Sequence, residues 1–229
     1  MTRSEDEPVR TFAFVDMAGY TALTEQHGDI DAADCAQRFY AMAESTLRDD
    51  ARIVKRIGDA VMLTSQVPAP CVLSIFAMLA RASAEPQFLG LRAGLSAGPA
   101  VERGGDYFGG AVNLAARIGA HARAGEVLCN EIVAVAATKE NLCRVVLLGE
   151  VALKNIAHPV GVWSLLANAT TTATPADAID PVCRMHVRTP TVSLRFDGIT
   201  FAFCSDACAD RFRLEPSAFL DADSLGRRR

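Results

Sequence analysis

The sequence has no excess of basic residues, since 23 Lys and Arg stand against 27 Asp and Glu for a net charge of −4. Affinity for duplex nucleic acid depends on clustered Lys and Arg, so nucleic acid is not an expected partner. Long hydrophobic runs are lacking as well. The longest, Cys71 to Ala80, is too short to cross a bilayer, which needs roughly 20 residues. No membrane partner is expected.

The first ten residues, MTRSEDEPVR, are polar and lack the apolar core of a secretory signal. We therefore expect a cytoplasmic protein whose seven cysteines are thiols and not disulfides. Pro and Gly, at 10 and 16 residues, are too few for a low-complexity chain, and half of the residues are hydrophobic. This composition excludes a disordered chain and predicts a sizeable core.

A small, polar segment divides the chain into two parts. Residues 168–179, NATTTATPADAI, have no apolar periodicity and are typical of a linker. They separate a predicted large domain, residues 9–167, from a predicted small domain, residues 180–222.

The large domain has the order of elements of a ferredoxin-like α+β fold, βαββαβ. Further strands are expected near 126–129, 145–151 and 160–166, after a helix over 110–120. The predicted ferredoxin-like elements are a strand over 9–17, a helix over 31–47, a hairpin over 53–63 that turns at Gly58-Asp59, a helix over 70–84 and a strand over 91–97.

In the small domain, apolar and polar residues alternate on both sides of Asp197-Gly198. A two-residue turn there pairs position 196 with 199, 194 with 201 and 192 with 203, so six apolar side chains share one face. We expect a small cysteine-rich module of a β-hairpin and a helix. So small a unit buries little core and calls for a metal ion to stabilise it.

Two aspartates of the large domain are expected to lie side by side. Asp16 ends the first strand, and Asp59 lies in the tip of the hairpin. The first and third strands of a ferredoxin-like sheet are neighbours, so both carboxylates come to one edge. Two such carboxylates repel unless a cation lies between them, and Mg²⁺ prefers carboxylate and phosphate oxygens. The alternative is a pair of unrelated turn aspartates.

Three segments carry a family resemblance: FAFVDMAGYTALTEQHGD, VKRIGDAVML and GGDYFGGAVNLAAR. In this order they resemble the catalytic domain of class III nucleotidyl cyclases, over roughly residues 10–166. The compact GGDYFG segment is similar to the bacterial subgroup with a short dimerisation arm. The resemblance implies a phosphorus–oxygen lyase, adenylate cyclase, which converts ATP to 3′,5′-cyclic AMP and pyrophosphate.

The resemblance also implies roles for six residues. Asp16 and Asp59 match the aspartates that hold two Mg²⁺ or Mn²⁺ ions per site, and two such ions can activate the 3′-hydroxyl and hold the triphosphate. In this family the site lies between two chains, so a homodimer with two equivalent sites is expected. Lys55 and Asp106 match the pair that binds adenine. Asn113 and Arg117 match the pair that orients the ribose and stabilises the transition state.

The chemistry of these residue types agrees with the resemblance. Arg117 can offset charge on the α-phosphate, and Asn113 lies one helical turn before it. Lys55 donates and Asp106 accepts, which suits adenine, whereas guanine presents a carbonyl oxygen to Asp106. Each residue also has a purely structural interpretation, such as a solvated lysine or a turn aspartate. Three other functions remain open: a guanylate cyclase, a non-catalytic nucleotide or metal sensor, and a metal-handling protein with a dimerisation scaffold.

The C-terminal segments DPVCRMHV, FAFCSDACADRF and EPSAFL resemble the YHS domain, a small module related to metal-binding TRASH domains. If a helix begins at Ser205, the thiols of Cys204 and Cys208 can both face Cys183. Three thiolates suit Zn²⁺ or Cu⁺, and Zn²⁺ would need a fourth ligand, for which the sequence offers His186 or Asp180. The alternative is three buried cysteines that pack as small hydrophobic residues. We hypothesise that this module senses a metal and alters cyclase output.

Overall fold

A computed structural model of the chain describes residues 8–168, 178–188, 190 and 192–220. Most of the predicted linker, residues 169–177, therefore lies outside the described residues. The described residues form two compact units that differ from the predicted division of the sequence. The first unit holds residues 8–17, 39–80 and 91–168, and the second holds residues 18–38, 81–90 and the described residues from 178 onward.

The first unit is built on one seven-stranded sheet with the strand order β2-β3-β1-β4-β7-β9-β8. The neighbours β2-β3-β1-β4 follow the ferredoxin-like order, so the predicted α+β fold is confirmed. The strands of this sheet are β1 (Val9–Met17), β2 (Arg52–Ile57), β3 (Ala60–Ser65), β4 (Leu91–Pro99), β7 (Val127–Cys129), β8 (Arg144–Val151) and β9 (Val160–Leu166), and a separate hairpin is formed by β5 (Val101–Arg103) and β6 (Asp106–Phe108).

Five helices accompany these strands along the chain. They are α1 (Tyr20–His27), α2 (Asp29–Thr46), α3 (Pro68–Ala84), α4 (Gly110–His121) and α5 (Glu131–Lys139). The predicted helices correspond to α2, α3 and α4, with ends that differ by one or two residues. Helices α1 and α5 and the β5–β6 hairpin were not among the predicted elements.

The pairing of β1 with its two neighbours positions the first carboxylate. Asp16 lies opposite Ala60 on the antiparallel strand β3 and opposite Arg92 on the antiparallel strand β4. Ala60 follows Asp59 directly, and the Met17 amide donates to the Asp59 carbonyl at 3.2 Å. The register of the sheet therefore brings the hairpin tip to the end of β1, as the sequence predicted.

Helix α4 packs closely against the sheet because two glycines meet at the contact. A Cβ on Gly94 of β4 would lie 1.9 Å from the backbone nitrogen of Gly119 in α4 and 2.6 Å from the Ala115 carbonyl oxygen. No side chain fits in this space. The contact fixes the position of α4, the helix that carries Asn113 and Arg117.

An aromatic contact anchors the β5–β6 hairpin in the core. Tyr107 of β6 is buried, and its ring centroid lies 5.3 Å from that of Phe12 in β1. The Tyr107 hydroxyl accepts a hydrogen bond from Arg52 at 2.6 Å and donates one to Glu102 at 2.7 Å. A buried and fully bonded Tyr107 holds the neighbouring residue Asp106 in place.

The second unit contains the C-terminal elements together with α1. The 192–203 hairpin has the predicted register, with Phe196 opposite Ile199 and Val192 opposite Phe203. Phe212 is buried and contacts the rings of Phe201 and Phe203 at centroid distances of 5.2 and 5.3 Å. The elements are β10 (Ala178–Ile179), β11 (His186–Val187), β12 (Val192–Phe196), β13 (Ile199–Phe203), α6 (Asp206–Leu214) and a 3₁₀ turn over Pro216–Ala218.

Helix α6 begins directly after Ser205, whose hydroxyl oxygen caps it by accepting from the Cys208 amide at 3.3 Å. Across the described part of the chain, no helix combines the length and the apolar character that a membrane span requires.

Candidate functional site

The carboxylates of Asp16 and Asp59 lie together at the edge of the sheet, next to the guanidinium group of Arg92. Arg92 donates to Oδ2 of Asp16 from Nε at 2.8 Å and from Nη2 at 2.5 Å. Burial raises the pKa of Asp16, Arg92 opposes this shift, and the nearby Asp59 adds to it. Two half-buried carboxylates that disfavour each other's charge form a donor set for a hard divalent cation. The residues present therefore fit Mg²⁺ or Mn²⁺.

A second pair joins Lys55 of β2 to Asp106 of β6. Lys55 Nζ donates to Oδ2 of Asp106 at 2.6 Å, while Oδ1 accepts from the Tyr107 amide at 2.8 Å. The hydrogen bond from Lys55 lowers the pKa of Asp106, which keeps this carboxylate charged. Both side chains are partly exposed, at 39% and 32%. The pair presents a donor and an acceptor side by side at the surface.

The third group is formed by Asn113 and Arg117, one turn apart on α4. The Asn113 side chain is exposed and that of Arg117 is half-buried. Within the described ranges, neither side chain makes a hydrogen bond or an ion pair. Both are therefore available to a bound molecule. The six residues that the sequence singled out thus lie in the first unit as two contacting pairs and one helical pair.

A cluster of sulfur and nitrogen atoms lies in the second unit. It consists of the thiols of Cys183, Cys204 and Cys208 and the imidazole of His27, whose ligand atoms all lie within 4.8 Å of one another. The three cysteines are buried thiols that form no disulfide. Hydrogen bonds from the thiols of Cys183 and Cys204 lower the pKa of Cys208 to about 4, so this sulfur is a thiolate near neutral pH. Such a group can hold a soft metal ion.

His186, which the sequence suggested as a fourth ligand, is not a member of this cluster. It belongs to β11, where its backbone pairs with Ile179 and its amide donates to the Phe88 carbonyl at 2.9 Å. The nitrogen atom in the cluster is that of His27, at the end of α1. The sequence contains no local signal for this, because His27 is distant from the cysteines along the chain.

Asp180, the other ligand that the sequence suggested, supports the cluster without belonging to it. Its Oδ1 accepts from the amides of Val182 at 2.8 Å and Cys183 at 3.4 Å. Its Oδ2 accepts from the Cys204 amide at 2.8 Å. Both oxygens of this fully buried carboxylate are thus engaged by backbone N–H groups. Asp180 holds the Cys183 loop and the end of β13 in register.

Two family models match successive parts of the chain. The model of the adenylate and guanylate cyclase catalytic domain matches residues 3–166, and the YHS domain model matches residues 178–223. A pH-sensitive adenylate cyclase of Mycobacterium tuberculosis is 37% identical over 118 residues, which are 52% of this chain and 30% of that protein. An adenylate cyclase of Glutamicibacter nicotianae is 35% identical over 129 residues, which are 55% of this chain and 31% of that protein.

Solved structures show the same fold. Adenylate cyclases from Trypanosoma brucei, in their monomeric state, superpose with a TM-score of 0.64 at 22% identity, over 76% of this chain and 94% of that chain. The chain spans about a third of the length of the two bacterial relatives. Since the cyclase model matches well over half of the chain, the protein belongs to the adenylate and guanylate cyclase catalytic domain family, with a YHS domain after it.

Proposed function

We propose that the protein is an adenylate cyclase that converts ATP to 3′,5′-cyclic AMP and pyrophosphate. The observation that carries the proposal is the pairing of Lys55 with Asp106 at 2.6 Å, together with the separate pair of metal-type carboxylates in the same unit. Relatives named adenylate cyclase support the choice of substrate.

The reaction is an in-line displacement within one nucleotide. The ribose 3′-oxygen releases its proton to solvent and forms a bond to the α-phosphorus, while the bond from that phosphorus to the pyrophosphate oxygen breaks and the electron pair leaves with pyrophosphate. Asp16 and Asp59 would hold two Mg²⁺ or Mn²⁺ ions, which when bound lower the pKa of the 3′-hydroxyl and neutralise the triphosphate. Arg92 occupies Oδ2 of Asp16, so Oδ1 and the Asp59 carboxylate are the oxygens left for a cation.

Selection of the base falls to Lys55 and Asp106. In the free protein the two side chains bond to each other, and adenine would replace that bond. Lys55 would donate to a ring nitrogen, and the charged Asp106 would accept from the exocyclic amino group. Guanine carries a carbonyl at this position, which places two acceptors face to face. GTP should therefore be the poorer substrate, and a guanylate cyclase is the alternative that the assay below tests.

Asn113 and Arg117 act on the sugar and the phosphate in this proposal. Asn113 would hydrogen-bond to the ribose and align the 3′-oxygen. Arg117 would donate to the α-phosphate, where negative charge increases in the transition state. Both side chains project from α4, which is fixed against the sheet at the glycine contact.

The active form would be a homodimer with two composite sites. Asp16 and Asp59 of one copy would act with Lys55, Asp106 and the α4 pair of the other. Ile57 and Phe108, each two residues from the adenine pair, are exposed at 43% and 55%, which suits a surface covered by a second copy. Mixing Asp59→Ala chains with Arg117→Ala chains should restore activity through one intact site. A verified heterodimer without activity would rule out the composite site.

The first assay measures cyclic AMP formed from ATP by the purified chain with Mg²⁺ or Mn²⁺, with GTP in parallel. Asp59→Ala should abolish the product, whereas Asp34→Ala, an exposed carboxylate of α2, should leave it unchanged. Absence of product from a well-folded wild-type dimer would favour a non-catalytic sensor. Cyclic GMP as the main product would favour the guanylate cyclase.

We also propose that a soft metal held by the C-terminal cysteines changes the cyclase rate. The thiol cluster in the second unit supports this proposal. Its test compares the wild type with Cys204→Ser/Cys208→Ser across a zinc titration at fixed Mg²⁺. Equal rates for both proteins at every zinc concentration would refute regulation by this module.

A further inference from the structure

Four of the six distances within the cluster of Cys183, Cys204, Cys208 and His27 have the size of the edges of a metal-centred tetrahedron. Cys204 Sγ lies 3.5 Å from Cys183 Sγ and 3.6 Å from Cys208 Sγ. His27 Nε2 lies 3.7 Å from both Cys204 Sγ and Cys208 Sγ. In a disulfide the sulfur atoms would be only about 2.05 Å apart, so these thiols are not cross-linked.

Tetrahedral coordination of a zinc ion requires ligand atoms at such distances from one another. With Zn–S near 2.3 Å and Zn–N near 2.0 Å, tetrahedral ligands lie about 3.8 Å apart for two sulfurs and about 3.5 Å for sulfur and nitrogen. The observed distances of 3.5–3.7 Å agree with these values to within a few tenths of an ångström. Four ligands that include an imidazole favour Zn²⁺, whereas Cu⁺ suits the three thiolates alone.

We propose that His27, Cys183, Cys204 and Cys208 form one tetrahedral zinc site, in which a helix of the cyclase sequence completes the three cysteines of the YHS segment. The inference rests on the proposed metal in the C-terminal module and names its ion and its fourth ligand. The family match for the YHS domain begins at residue 178, so His27 lies outside it.

The surroundings of the ligands are already arranged for a metal. Asp180 holds the amides of Cys183 and Cys204, and the Ser205 cap holds that of Cys208, so all three cysteine backbones are fixed. On His27, Nε2 faces the thiols, and Nδ1 lies 4.0 Å from the Asp31 carboxylate one turn along the chain. A carboxylate is a common neighbour of the second nitrogen of a ligating imidazole.

A second contact in this unit joins the loop of Cys183 to the turn before α1. Gly19, which precedes α1, has a φ of +95°, and a Cβ there would lie 2.6 Å from Cβ of Arg184. Arg184 follows the ligand Cys183 directly. The turn that follows Asp16 in the sequence is thus packed against the loop that zinc would order, while His27 holds the other end of α1.

The test uses the full chain, stripped of metal with a chelator and refilled with Zn²⁺ or Co²⁺. Zinc stoichiometry and affinity are measured by competition with a chromophoric chelator, and the visible Co²⁺ bands report tetrahedral coordination. We expect one zinc per chain. His27→Ala should bind zinc at least about tenfold more weakly, because even residues behind the ligands cost 10–100-fold.

Two histidine variants serve as controls. His186→Ala removes the ligand that the sequence suggested, and His158→Ala removes an exposed histidine. Both should bind zinc like the wild type. His27→Cys should retain tight binding through four thiolates and add a sulfur-to-Co²⁺ charge-transfer contribution. This variant decides the question if circular dichroism shows that His27→Ala is misfolded.

Each contrary result overturns the proposal. Wild-type zinc affinity in folded His27→Ala would exclude His27 as a ligand, and loss of affinity in His186→Ala would make His186 the fourth ligand. A folded wild type that binds no zinc would make the cluster three packed thiols. Zinc binding is measured without nucleotide. An inactive cyclase would therefore not refute the zinc site, and a chain without a zinc site would not refute the cyclase activity.

Discussion

Replacing Gly94 by alanine is expected to push α4 away from the sheet. The added Cβ would lie 1.9 Å from Gly119 N, 2.4 Å from Gly119 Cα and 2.6 Å from the Ala115 carbonyl oxygen. Ordinary contact begins near 3.4 Å, so the helix must move by about 1.5 Å. All three obstacles are backbone atoms, which cannot rotate away as a side chain would.

The size of the effect follows from that displacement. Overpacking by one methyl group costs about 1–3 kcal/mol, and this contact belongs at the upper end of that range. A loss of about 3 kcal/mol corresponds to a fall in Tm of about 6–12 °C for a chain of this size. Because Asn113 and Arg117 move with α4, cyclic AMP formation should fall by about 100-fold, as expected for a misplacement of about 1 Å.

Gly110→Ala provides the matched control for this prediction. Gly110 lies in the same helix, its added Cβ would meet no atom within 4 Å, and its φ is not positive. Alanine should there be neutral or slightly stabilising. Thermal denaturation and the cyclase assay are run on both variants. A Gly94→Ala protein with wild-type Tm and activity would show that α4 is not held by this contact.

Three further predictions concern the charged groups. Lys55→Ala should raise KM for ATP roughly tenfold or more, because a charged hydrogen bond to adenine is lost, and the preference for ATP over GTP should fall. An unchanged preference would contradict the proposal that Lys55 binds adenine. Arg92→Ala should lower the free energy of unfolding by about 1–3 kcal/mol, because Asp16 loses its guanidinium partner, and added Mn²⁺ should restore part of the Tm. A lower Tm that Mn²⁺ does not raise would argue against a metal ion between the two carboxylates. Asp180→Asn should weaken zinc binding by about 10–100-fold, as measured by chelator competition; wild-type affinity would contradict its role behind the cysteines.

Local patterns made much of the fold predictable. Alternation around Asp197-Gly198 fixed the pairing of Phe196 with Ile199, because a one-residue slip would turn every apolar side chain to the opposite face. The ferredoxin-like order likewise brought Asp16 beside the hairpin tip. The first prediction needed only the two-residue period of a strand, and the second needed only the known strand order.

The elements that were missed have weaker patterns. Helix α1 has Leu23 as its only fully buried residue, so its sequence shows no helical apolar stripe. Helix α5 contains the β-branched residues Ile132 and Val135 at exposed positions, which disfavour a helical interpretation. Its start is set by the Asn130 side chain, which accepts from the Val133 amide at 3.3 Å.

The positions of site residues were predictable where strand pairing brings them together, and not where the packing of other elements does so. Arg92 reaches Asp16 across the β1–β4 pairing, and nothing in its local sequence marks it as a partner of a carboxylate. The position of His27 beside the thiols depends on how α1 packs within the second unit. No spacing rule connects a histidine near the start of a chain to cysteines near its end.

The wide separation of the ligands also sets an order of events during synthesis. His27 emerges from the ribosome before its proposed metal partners, which follow only when Cys183, Cys204 and Cys208 have been translated. A nascent cyclase domain would therefore carry an imidazole with no ion to bind, and zinc would enter only after the C-terminal module has emerged. Metal capture then becomes a late step of maturation, and a chain that stops before Cys208 would leave the ribosome without it.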